Sequence, residues 1–524
     1  MHAYLLHHLL EAAARAAPGK EALVDGKRRF SWTEFLRAAE SCAGALHAAG
    51  LERRDRVAIY LEKSFEEAFA IFGSSVAGGV FVPVNALLRP AQVAHIVEDC
   101  AVSYLVTSAK RWEGLRAALG DSPSLRRVLL IDAGGARAGK VVPSAFAAPP
   151  APKGASRGVA EDLAAILYTS GSTGRPKGVM LSHANLLAGS RVVCAYLEIG
   201  AGERILSVLP FSFDYGLNQL VTAAEKGATI VLLSFRFGDE IVRAMRDERI
   251  TGLAGVPTIW AVLTQAAPTF LKAKLESLRY LTNSGGPVPA ETVKRLRAAQ
   301  PDAKLFLMYG LTEAFRSTYL PPEQVDRRPT SIGKAIPETE IFLVNEKGRR
   351  CSPGETGILV HRGPTVSLGY WGRPDDTAAV IKPNPLIPRE QGGDLVCVSG
   401  DLVRMDEEGF FYFVGRNDAM IKSSGYRISP AEVEEVLMAT GSLAQAAVIG
   451  LPDAAIGERV HAICVLADGA PADREALLAH CARELPQHMV PRDVEFVGEL
   501  PRSPNGKVDY KGLKAERVTR AQGA

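Results

Sequence analysis

Apolar runs of strand length alternate with amphipathic stretches along most of the chain. Residues 56–61 and 228–233 are mostly apolar over six positions each, which is typical of buried strands. Stretches such as 38–46 and 291–299 repeat apolar residues at helical spacing, and a Ser or Thr cap precedes the first of them. This alternation predicts an α/β fold.

Three other stretches predict different structures. Residues 133–158 are rich in Ala, Gly, Pro, Ser and Lys and cannot bury enough apolar surface to order themselves, so we expect a linker or surface loop. Short runs between turns in residues 331–371 predict a β-rich subdomain. Residues 1–11 lack a basic leader and a small-residue cleavage site, so they predict a helix and not a signal peptide.

Bulk properties limit the class of protein. A chain of 524 residues exceeds what one hydrophobic core usually spans, so two or more domains are expected. A net charge of +3 argues against nucleic acid as a partner, and no apolar run reaches the roughly 18 residues of a membrane span. The seven scattered cysteines lack C-x-x-C spacing, which indicates a reducing, cytoplasmic compartment and no zinc site. We expect a small molecule or one protein as partner.

A stretch rich in Gly, Ser and Thr follows the apolar run 163–167. Its glycines allow tight turns that bring amide groups against phosphate oxygens, and its hydroxyls and lysine lie in the same small volume. The residues concerned are Thr169, Ser170, Gly171, Ser172, Thr173, Gly174 and Lys177. With a helix expected near Asn185, they predict a strand, a polyphosphate-binding loop and a helix. No Gly-Lys-Ser/Thr closes the loop, so it is not a Walker loop, and composition alone favours a flexible loop.

The string 167–178 closely resembles the signature of the adenylate-forming superfamily, which contains acyl-CoA synthetases, peptide synthetase adenylation domains and luciferases. Further motifs extend the resemblance over roughly residues 30–515. It implies a large N-terminal domain, residues 1–417, with α/β sheets and a β-rich subdomain, and a small mobile C-terminal α+β domain, residues 418–524. It also implies ATP and magnesium, with the pantetheine thiol of CoA or of an acyl or peptidyl carrier protein as acceptor.

The motif at 307–313 supplies three residue types that suit a nucleotide. An aromatic ring can stack on a purine, a hydroxyl can bond a phosphate oxygen, and a carboxylate can hold magnesium. By resemblance, Tyr309 packs on adenine beside Gly310, Thr312 contacts the α-phosphate, and Glu313 binds the metal.

Four further residues complete the nucleotide site by resemblance. Gly285 and Gly286 stand at the family's adenine pocket, although the pair could equally form a turn. Asp401 and Arg416 stand where the family contacts ribose, and Asp401 taken alone would be expected to cap a turn.

The C-terminal region contributes the remaining functional positions. By resemblance, Asp418 is the hinge to the small domain, Gly425 lies against the tunnel of the incoming thiol, and Lys507 is the catalytic lysine. Without the resemblance, Pro and Gly around Lys507 would indicate only a solvated, mobile loop.

The segment 210–216 bears on the acid. Most acyl-CoA synthetases have histidine at the position of Phe213, whereas Phe213 and Asp214 resemble the Phe-Asp pair with which peptide synthetase domains hold an amino group. An aspartate in an apolar pocket needs a cationic or hydrogen-bonding partner, which a substrate ammonium would provide. Alternatively, Asp214 caps a helix that begins near Gly216.

The resemblance implies a carboxylate–thiol ligase that forms an acyl-adenylate and pyrophosphate from ATP. Asn85 resembles the acyl-CoA branch, and residues 314–322 resemble acyl ligases found beside exosortase systems. A ligase that loads an amino acid onto a carrier protein, an amide-forming ligase and an oxidase of the luciferase kind would use the same adenylate. A nucleotide-binding regulator would be expected to lack Lys507 or Glu313, and both are present.

Overall fold

The computed structural model describes residues 3–132, 139–142, 146, 148–151, 158–169, 176–417, 419–423, 426–453, 456–503 and 506–522. These residues form a large, sheet-rich N-terminal region followed by a smaller C-terminal α+β region, so the predicted fold class is confirmed.

Two sheets dominate the N-terminal region. Its strands are β1 (Glu21–Asp25), β2 (Arg28–Ser31), β3 (Arg56–Tyr60), β4 (Val80–Pro83), β5 (Tyr104–Thr107), β6 (Arg127–Leu130), β7 (Val141–Val142), β8 (Leu163–Thr169), β9 (Lys177–Ser182), β10 (Arg204–Ser207), β11 (Thr229–Leu232), β12 (Gly252–Gly255), β13 (Tyr280–Asn283), β14 (Lys304–Tyr309), β15 (Thr318–Leu320), β16 (Ser331–Ala335), β17 (Glu340–Val344), β18 (Thr356–Arg362), β19 (Ile381–Pro383), β20 (Leu395–Met405) and β21 (Phe411–Arg416).

Helices separate most of the parallel strands. They are α1 (Leu6–Ala16), α2 (Trp32–Ala48), α3 (Phe65–Val76), α4 (Pro90–Asp99), α5 (Ala109–Leu119), α6 (His183–Tyr196), α7 (Asp214–Lys226), α8 (Gly238–Asp247), α9 (Pro257–Gln265), α10 (Pro268–Lys272), α11 (Ala290–Ala299) and α12 (Pro374–Val380). Helix α2 begins behind a Ser31 cap, whose hydroxyl accepts from Glu34 N at 3.3 Å while the Glu34 carboxylate accepts from Ser31 N at 2.7 Å.

The first sheet has the order β7, β6, β5, β3, β4, β8, β9 and is parallel except for the β8–β9 pair. The second sheet has the order β17, β18, β20, β21, β16, β15, β14, β13, β12, β10, β11, β1, β2, with β19 paired to β20. Its strands from β10 to β14 pair in parallel, and those from β15 onwards pair antiparallel. The antiparallel part contains the β-rich region that the sequence predicts.

The C-terminal region has its own sheet and core. Its strands are β22 (Ile421–Ser423), β23 (Tyr426–Ile428), β24 (Leu443–Asp453), β25 (Gly457–Leu466) and β26 (Asp493–Phe496), and its helices are α13 (Pro430–Ala439), α14 (Arg474–Glu484) and α15 (Tyr510–Gln522). The order is β23, β22, β25, β24, with β26 parallel to β25. Val433, Leu437, Val448 and Cys481 lie in a cluster built from this region alone. No helix among the described residues combines the length and apolar character that a membrane crossing requires.

Two local expectations are wrong. The phosphate-loop motif was expected to pass from strand to helix, but strand β9 intervenes and pairs antiparallel with β8, with Thr169 opposite Lys177. Within the expected linker 133–158, Val141 and Val142 form an edge strand parallel to β6. In both places a strand with only two or three consecutive apolar residues pairs with a neighbouring strand of a sheet. This pairing stabilises the strand, and local composition does not reveal it.

Buried histidines attach helix α1, whose formation the sequence predicts, to the rest of the N-terminal region. His183 Nδ1 accepts a hydrogen bond from Leu6 N at 3.0 Å, and His7 Nδ1 lies 3.0 Å from Ser75 Oγ. Burial lowers the pKa of His7 to about 3 and the pKa of His183 to about 4. Both rings are therefore neutral at physiological pH.

We expect His183→Asn to reduce the loss of stability in acid. Below pH 6.5 the unfolded chain binds a proton at this position, whereas folded His183 stays neutral to about pH 4, so stability falls as the pH falls through this window. The difference corresponds to about 3 kcal/mol. Asn retains an acceptor for Leu6 N but does not titrate. Denaturant unfolding from about pH 7 to pH 4 measures the effect, and an unchanged pH dependence would contradict it.

Candidate active site

The carboxyl ends of neighbouring parallel strands bring several predicted site residues to one edge of the second sheet. Phe213 and Asp214 follow β10, Gly285 and Gly286 follow β13, and Tyr309 is the last residue of β14. In open α/β sheets, ligands bind outside the carboxyl ends of the strands. The sheet therefore assembles residues that lie far apart in sequence.

A loop of the C-terminal region reaches this edge. Ser503 N donates to Lys507 O at 2.7 Å, Gly506 N donates to Ser503 O at 2.8 Å, and Asp509 N donates to Pro501 O at 2.8 Å. These bonds join residues 501–503 to residues 506–509, which include Lys507. The position of Lys507 is thus held by backbone hydrogen bonds within its own region.

The Lys507 side chain lies against Phe213 and Gly285. Its Nζ is 5.8 Å from the centre of the Phe213 ring, which is within cation–π range. A Cβ built on Gly285 would lie 3.4 Å from Phe213 Cζ and 3.7 Å from Lys507 Cε, and the φ angle of Gly285 is +84°. The positive φ angle favours glycine at this position, and the two distances place the Phe213 ring and the Lys507 side chain directly beside it.

Tyr309, Asp401 and Arg416 form a connected polar group. The Tyr309 hydroxyl donates to Asp401, and Arg416 Nη1 donates to the other oxygen of the same carboxylate at 3.3 Å. Burial, and then the charge of Asp401, raise the pKa of Tyr309 well above its ordinary value. The ring of His361 stacks on Tyr309 with centroids 6.2 Å apart, and burial lowers the pKa of His361 to about 3. The predicted adenine and ribose residues are adjacent in the structure.

Thr312 and Glu313 lie in a short 3₁₀ turn, Thr312–Ala314, directly after this group. The Tyr370 hydroxyl donates to Glu313 Oε1 at 2.6 Å, and Ser367 N donates to the Glu313 carbonyl at 2.9 Å. Burial and the neighbouring Glu313 charge raise the pKa of Tyr370. Glu313 is therefore held through both its side-chain carboxylate and its backbone carbonyl.

Lys177 is buried on β9, where its Nζ forms an ion pair with Asp376 Oδ1 at 2.7 Å. The same Nζ lies 5.5 Å from the centre of the Tyr370 ring. Tyr370 thus links the surroundings of Lys177 to Glu313. Among the predicted loop residues, Thr169 ends β8 opposite Lys177, whereas Ser170, Gly171, Ser172, Thr173 and Gly174 lie outside the described residues. Asp418 and Gly425 lie outside them as well.

Asp214 does not cap a helix that begins near Gly216. Helix α7 begins at Asp214 itself, its N-cap residue is Phe213, and no side chain makes the capping hydrogen bond. Asp214 instead lies 3.8 Å from Arg316, measured from Oδ2 to Nη1, and both side chains are buried. Arg316 is a cationic neighbour that sequence reasoning missed.

Lys63 is a second residue that sequence reasoning missed. It is half-buried, and its Nζ donates to Ser207 O at 2.9 Å, to Ser207 Oγ at 3.0 Å and to the Leu209 carbonyl. Burial lowers the pKa of Lys63 to about 7. The bonds fix the segment that leads from β10 to Phe213. No local motif marks Lys63, Tyr370, Asp376 or Arg316, since each acts on a residue distant in sequence.

The donor set around Glu313 fits a magnesium ion that also binds nucleotide phosphates. Magnesium prefers oxygen ligands and is usually held by one or two carboxylates together with substrate phosphates. The described residues contain no group of three or more His, Cys, Asp or Glu side chains that could hold a metal by themselves. Glu313, next to Thr312 in the chain, provides the carboxylate for a site in which the protein and the nucleotide phosphates bind the metal together.

Two family models match the chain. Residues 10–371 match "AMP-binding enzyme", and residues 432–507 match "AMP-binding enzyme C-terminal domain". The second match ends at Lys507.

Similar proteins span nearly the whole chain. A feruloyl-CoA synthase from an Amycolatopsis species is 34% identical over 94% of this chain and 95% of its own. An L-proline–[L-prolyl-carrier protein] ligase from Pseudomonas fluorescens is 31% identical over 97% of this chain and 98% of its own. The crystal structure of ATP-bound MatB from Rhodopseudomonas palustris has a TM-score of 0.88 and 29% identity, covering 98% of this chain and 99% of that one. The chain belongs to the AMP-binding enzyme family and is thus a member of the adenylate-forming superfamily.

Proposed function

We propose that the protein is an AMP-forming acid–thiol ligase that converts a carboxylic acid, ATP and CoA into an acyl-CoA, AMP and pyrophosphate. The observation that carries this proposal is the position of Lys507 beside Phe213 and Gly285 at the carboxyl edge of the sheet. Lys507 is a cation of the C-terminal region, and it lies beside N-terminal residues that we assign to the acid and the nucleotide. A cation in this position suits the joining of a carboxylate to a phosphate.

In the first half-reaction, a carboxylate oxygen of the acid attacks the α-phosphorus of ATP. The new C–O–P linkage forms as the bond to the β-phosphate oxygen breaks, and pyrophosphate leaves. Lys507 attracts both the carboxylate and the α-phosphate, while Thr312 donates to a phosphate oxygen. Magnesium bound at Glu313 would neutralise phosphate charge. Catalysis is then positioning and charge stabilisation, with no protein nucleophile.

The nucleotide is held by residues around β14. Adenine packs on Tyr309 beside Gly310, Gly285 and Gly286, and the ribose hydroxyls bond to Asp401 and Arg416. The stacked ring of His361 and the hydrogen bond to Asp401 fix the orientation of Tyr309 before ATP binds. Residues 169–174 and Lys177 hold the β- and γ-phosphates. To bind them, Lys177 gives up its ion pair with Asp376.

In the second half-reaction, a pantetheine thiol attacks the acyl carbonyl, AMP leaves, and the thiol proton passes to solvent. The C-terminal domain, residues 418–524, turns about Asp418 to withdraw Lys507, and the thiol enters past Gly425. The 34% identity with an enzyme named feruloyl-CoA synthase supports CoA as the acceptor. One relative is named as a carrier-protein ligase, so a phosphopantetheinyl carrier protein is the alternative acceptor. The first experiment must distinguish this acceptor from CoA.

Incubation of the protein with ATP, Mg²⁺, CoA and a panel of carboxylic acids is expected to yield acyl-CoA and AMP, identified by mass spectrometry. A phosphopantetheinyl carrier protein and free amines are offered in parallel reactions. An accepted acid that is transferred to the carrier or to an amine, but not to CoA, would contradict the acceptor we propose.

Lys507→Ala is expected to abolish most ATP–pyrophosphate exchange and to spare thioester formation from a preformed acyl-adenylate. The charge is needed while the α-phosphate gains charge, and loss of such a group costs about 3–4 kcal/mol, or two to three orders of magnitude in rate. Lys511→Ala, an exposed lysine at the start of α15, is the matched control and should retain activity. Equal loss in both half-reactions would contradict withdrawal of Lys507.

Tyr370→Phe is expected to raise the Mg²⁺ concentration needed for half-maximal pyrophosphate exchange by about tenfold or more. The substitution removes the hydroxyl that donates to Glu313 at 2.6 Å and leaves the ring in place. Tyr412→Phe serves as control because that hydroxyl donates to Asp406 at 3.0 Å instead. The same Mg²⁺ dependence in both variants would show that Tyr370 does not orient the metal ligand.

A further inference from the structure

A strained turn places Arg316 in the protein interior beside Asp214. Phe315 has φ +48° and ψ −36°, and Arg316 N donates to Ala314 O at 2.6 Å, so residues 314–316 form a γ-turn of positive φ. This turn is rare and strained for a residue with a side chain, and such strain is retained mainly at functional sites. The fully buried Phe315 ring occupies the position where Gly189 has no Cβ, which holds the turn in place.

The buried pair that results is incompletely hydrogen-bonded. The side chains of Arg316 and Asp214 are 4% and 5% exposed, and their nearest charged atoms are 3.8 Å apart, beyond hydrogen-bond length. Arg316 Nε and Nη2 donate to no acceptor among the residues the structure describes. A buried ion pair is favourable only when its remaining donors and acceptors are satisfied. Arg316 Nη1 and Asp214 Oδ2 also form no direct hydrogen bond, so a polar atom placed beside both could bond to each of them.

We propose that Asp214 and Arg316 select an acid that carries a hydroxyl group on its acyl chain. This proposal rests on the proposed function, which places the acid's carboxylate beside Lys507 and Phe213. The hydroxyl donates to Asp214 and accepts from Arg316, and an oxygen about 2.8 Å from each fits between atoms 3.8 Å apart. In the proposed pose the acyl chain extends beyond the Phe213 ring toward Asp214, the next residue in the chain.

The charges favour a neutral hydroxyl over an amino or a second carboxyl group. A substrate ammonium attracted by Asp214 would be repelled by Arg316, and a carboxylate attracted by Arg316 would be repelled by Asp214. The guanidinium also lies 4.9 Å from the centre of the Tyr215 ring, whose own hydroxyl donates to Thr282 O at 2.8 Å. Tyr215 thus supports the guanidinium from one face while its polar end is occupied elsewhere.

ATP–pyrophosphate exchange with matched acids tests the selection. The probes are para-hydroxycinnamate against cinnamate, and omega-hydroxyalkanoates of six to ten carbons against the corresponding alkanoates and omega-aminoalkanoates. We expect one hydroxy acid to exceed its des-hydroxy partner in kcat/KM by about tenfold to a hundredfold. A preference for des-hydroxy or amino acids in every matched set overturns the proposal. If none of the acids supported ATP–pyrophosphate exchange, the result would instead contradict the proposed adenylation reaction.

The paired substitution Asp214→Leu with Arg316→Met removes both charges and leaves no buried ion unpaired. We expect it to bring the ratio between hydroxy and des-hydroxy acids close to one while exchange with the des-hydroxy acid persists. Arg328→Met is the matched control, because Arg328 is equally buried but pairs with Asp406 and Glu408. An unchanged preference in the double variant, or an equal change in the control, would show that Asp214 and Arg316 do not select the acid.

Discussion

Parallel pairing of β10, β12, β13 and β14 is the constraint on which the site depends. Parallel strands all end at one edge, so the segments that follow them converge there whatever their separation in sequence. Phe213, Gly285 and Tyr309 are neighbours for this reason. After β14 the sheet continues with antiparallel strands, among them β20 and β21, which bring Asp401 and Arg416 to the same edge. Asp401 of β20 pairs in register with Arg416 of β21.

Buried charge is the second organising element. Lys177, Asp214 and Arg316 are buried and Lys63 is half-buried. Each has a defined position relative to an opposite charge or to carbonyl oxygens. Desolvation makes such groups costly, so they persist where the surrounding structure holds them. In this protein Lys177 lies on β9, Lys63 bonds to the segment between β10 and Phe213, and Asp214 directly follows Phe213, so these charges lie beside the candidate site.

The sequence allowed prediction of the alternating strands and helices, because hydrophobic period and caps are local properties, as the Ser31–Glu34 cap of α2 illustrates. Strand β9 was missed, since its stability comes from pairing with β8 and not from its own composition. Motif resemblance predicts Tyr309, Glu313 and Lys507 as site residues but does not identify their neighbours. Tyr370 is 57 residues from Glu313, and His361 lies on β18 whereas Tyr309 ends β14, so only the folded sheet brings these side chains together.

The form of the Lys507 loop bears on how the C-terminal region could move. Backbone hydrogen bonds connect residues 501–503 with residues 506–509, and α15 begins at Tyr510, whose hydroxyl donates to Glu434 at 3.0 Å. The lysine is thus fixed to its own domain, whereas its approach to the other consists of a cation–π contact with Phe213 and van der Waals proximity to Gly285. Contacts of this kind carry no directional bond, so a movement of Lys507 away from Phe213 and Gly285 would leave no buried polar group unsatisfied at either residue. A lysine attached in this way can move together with the rest of its own region as a rigid unit.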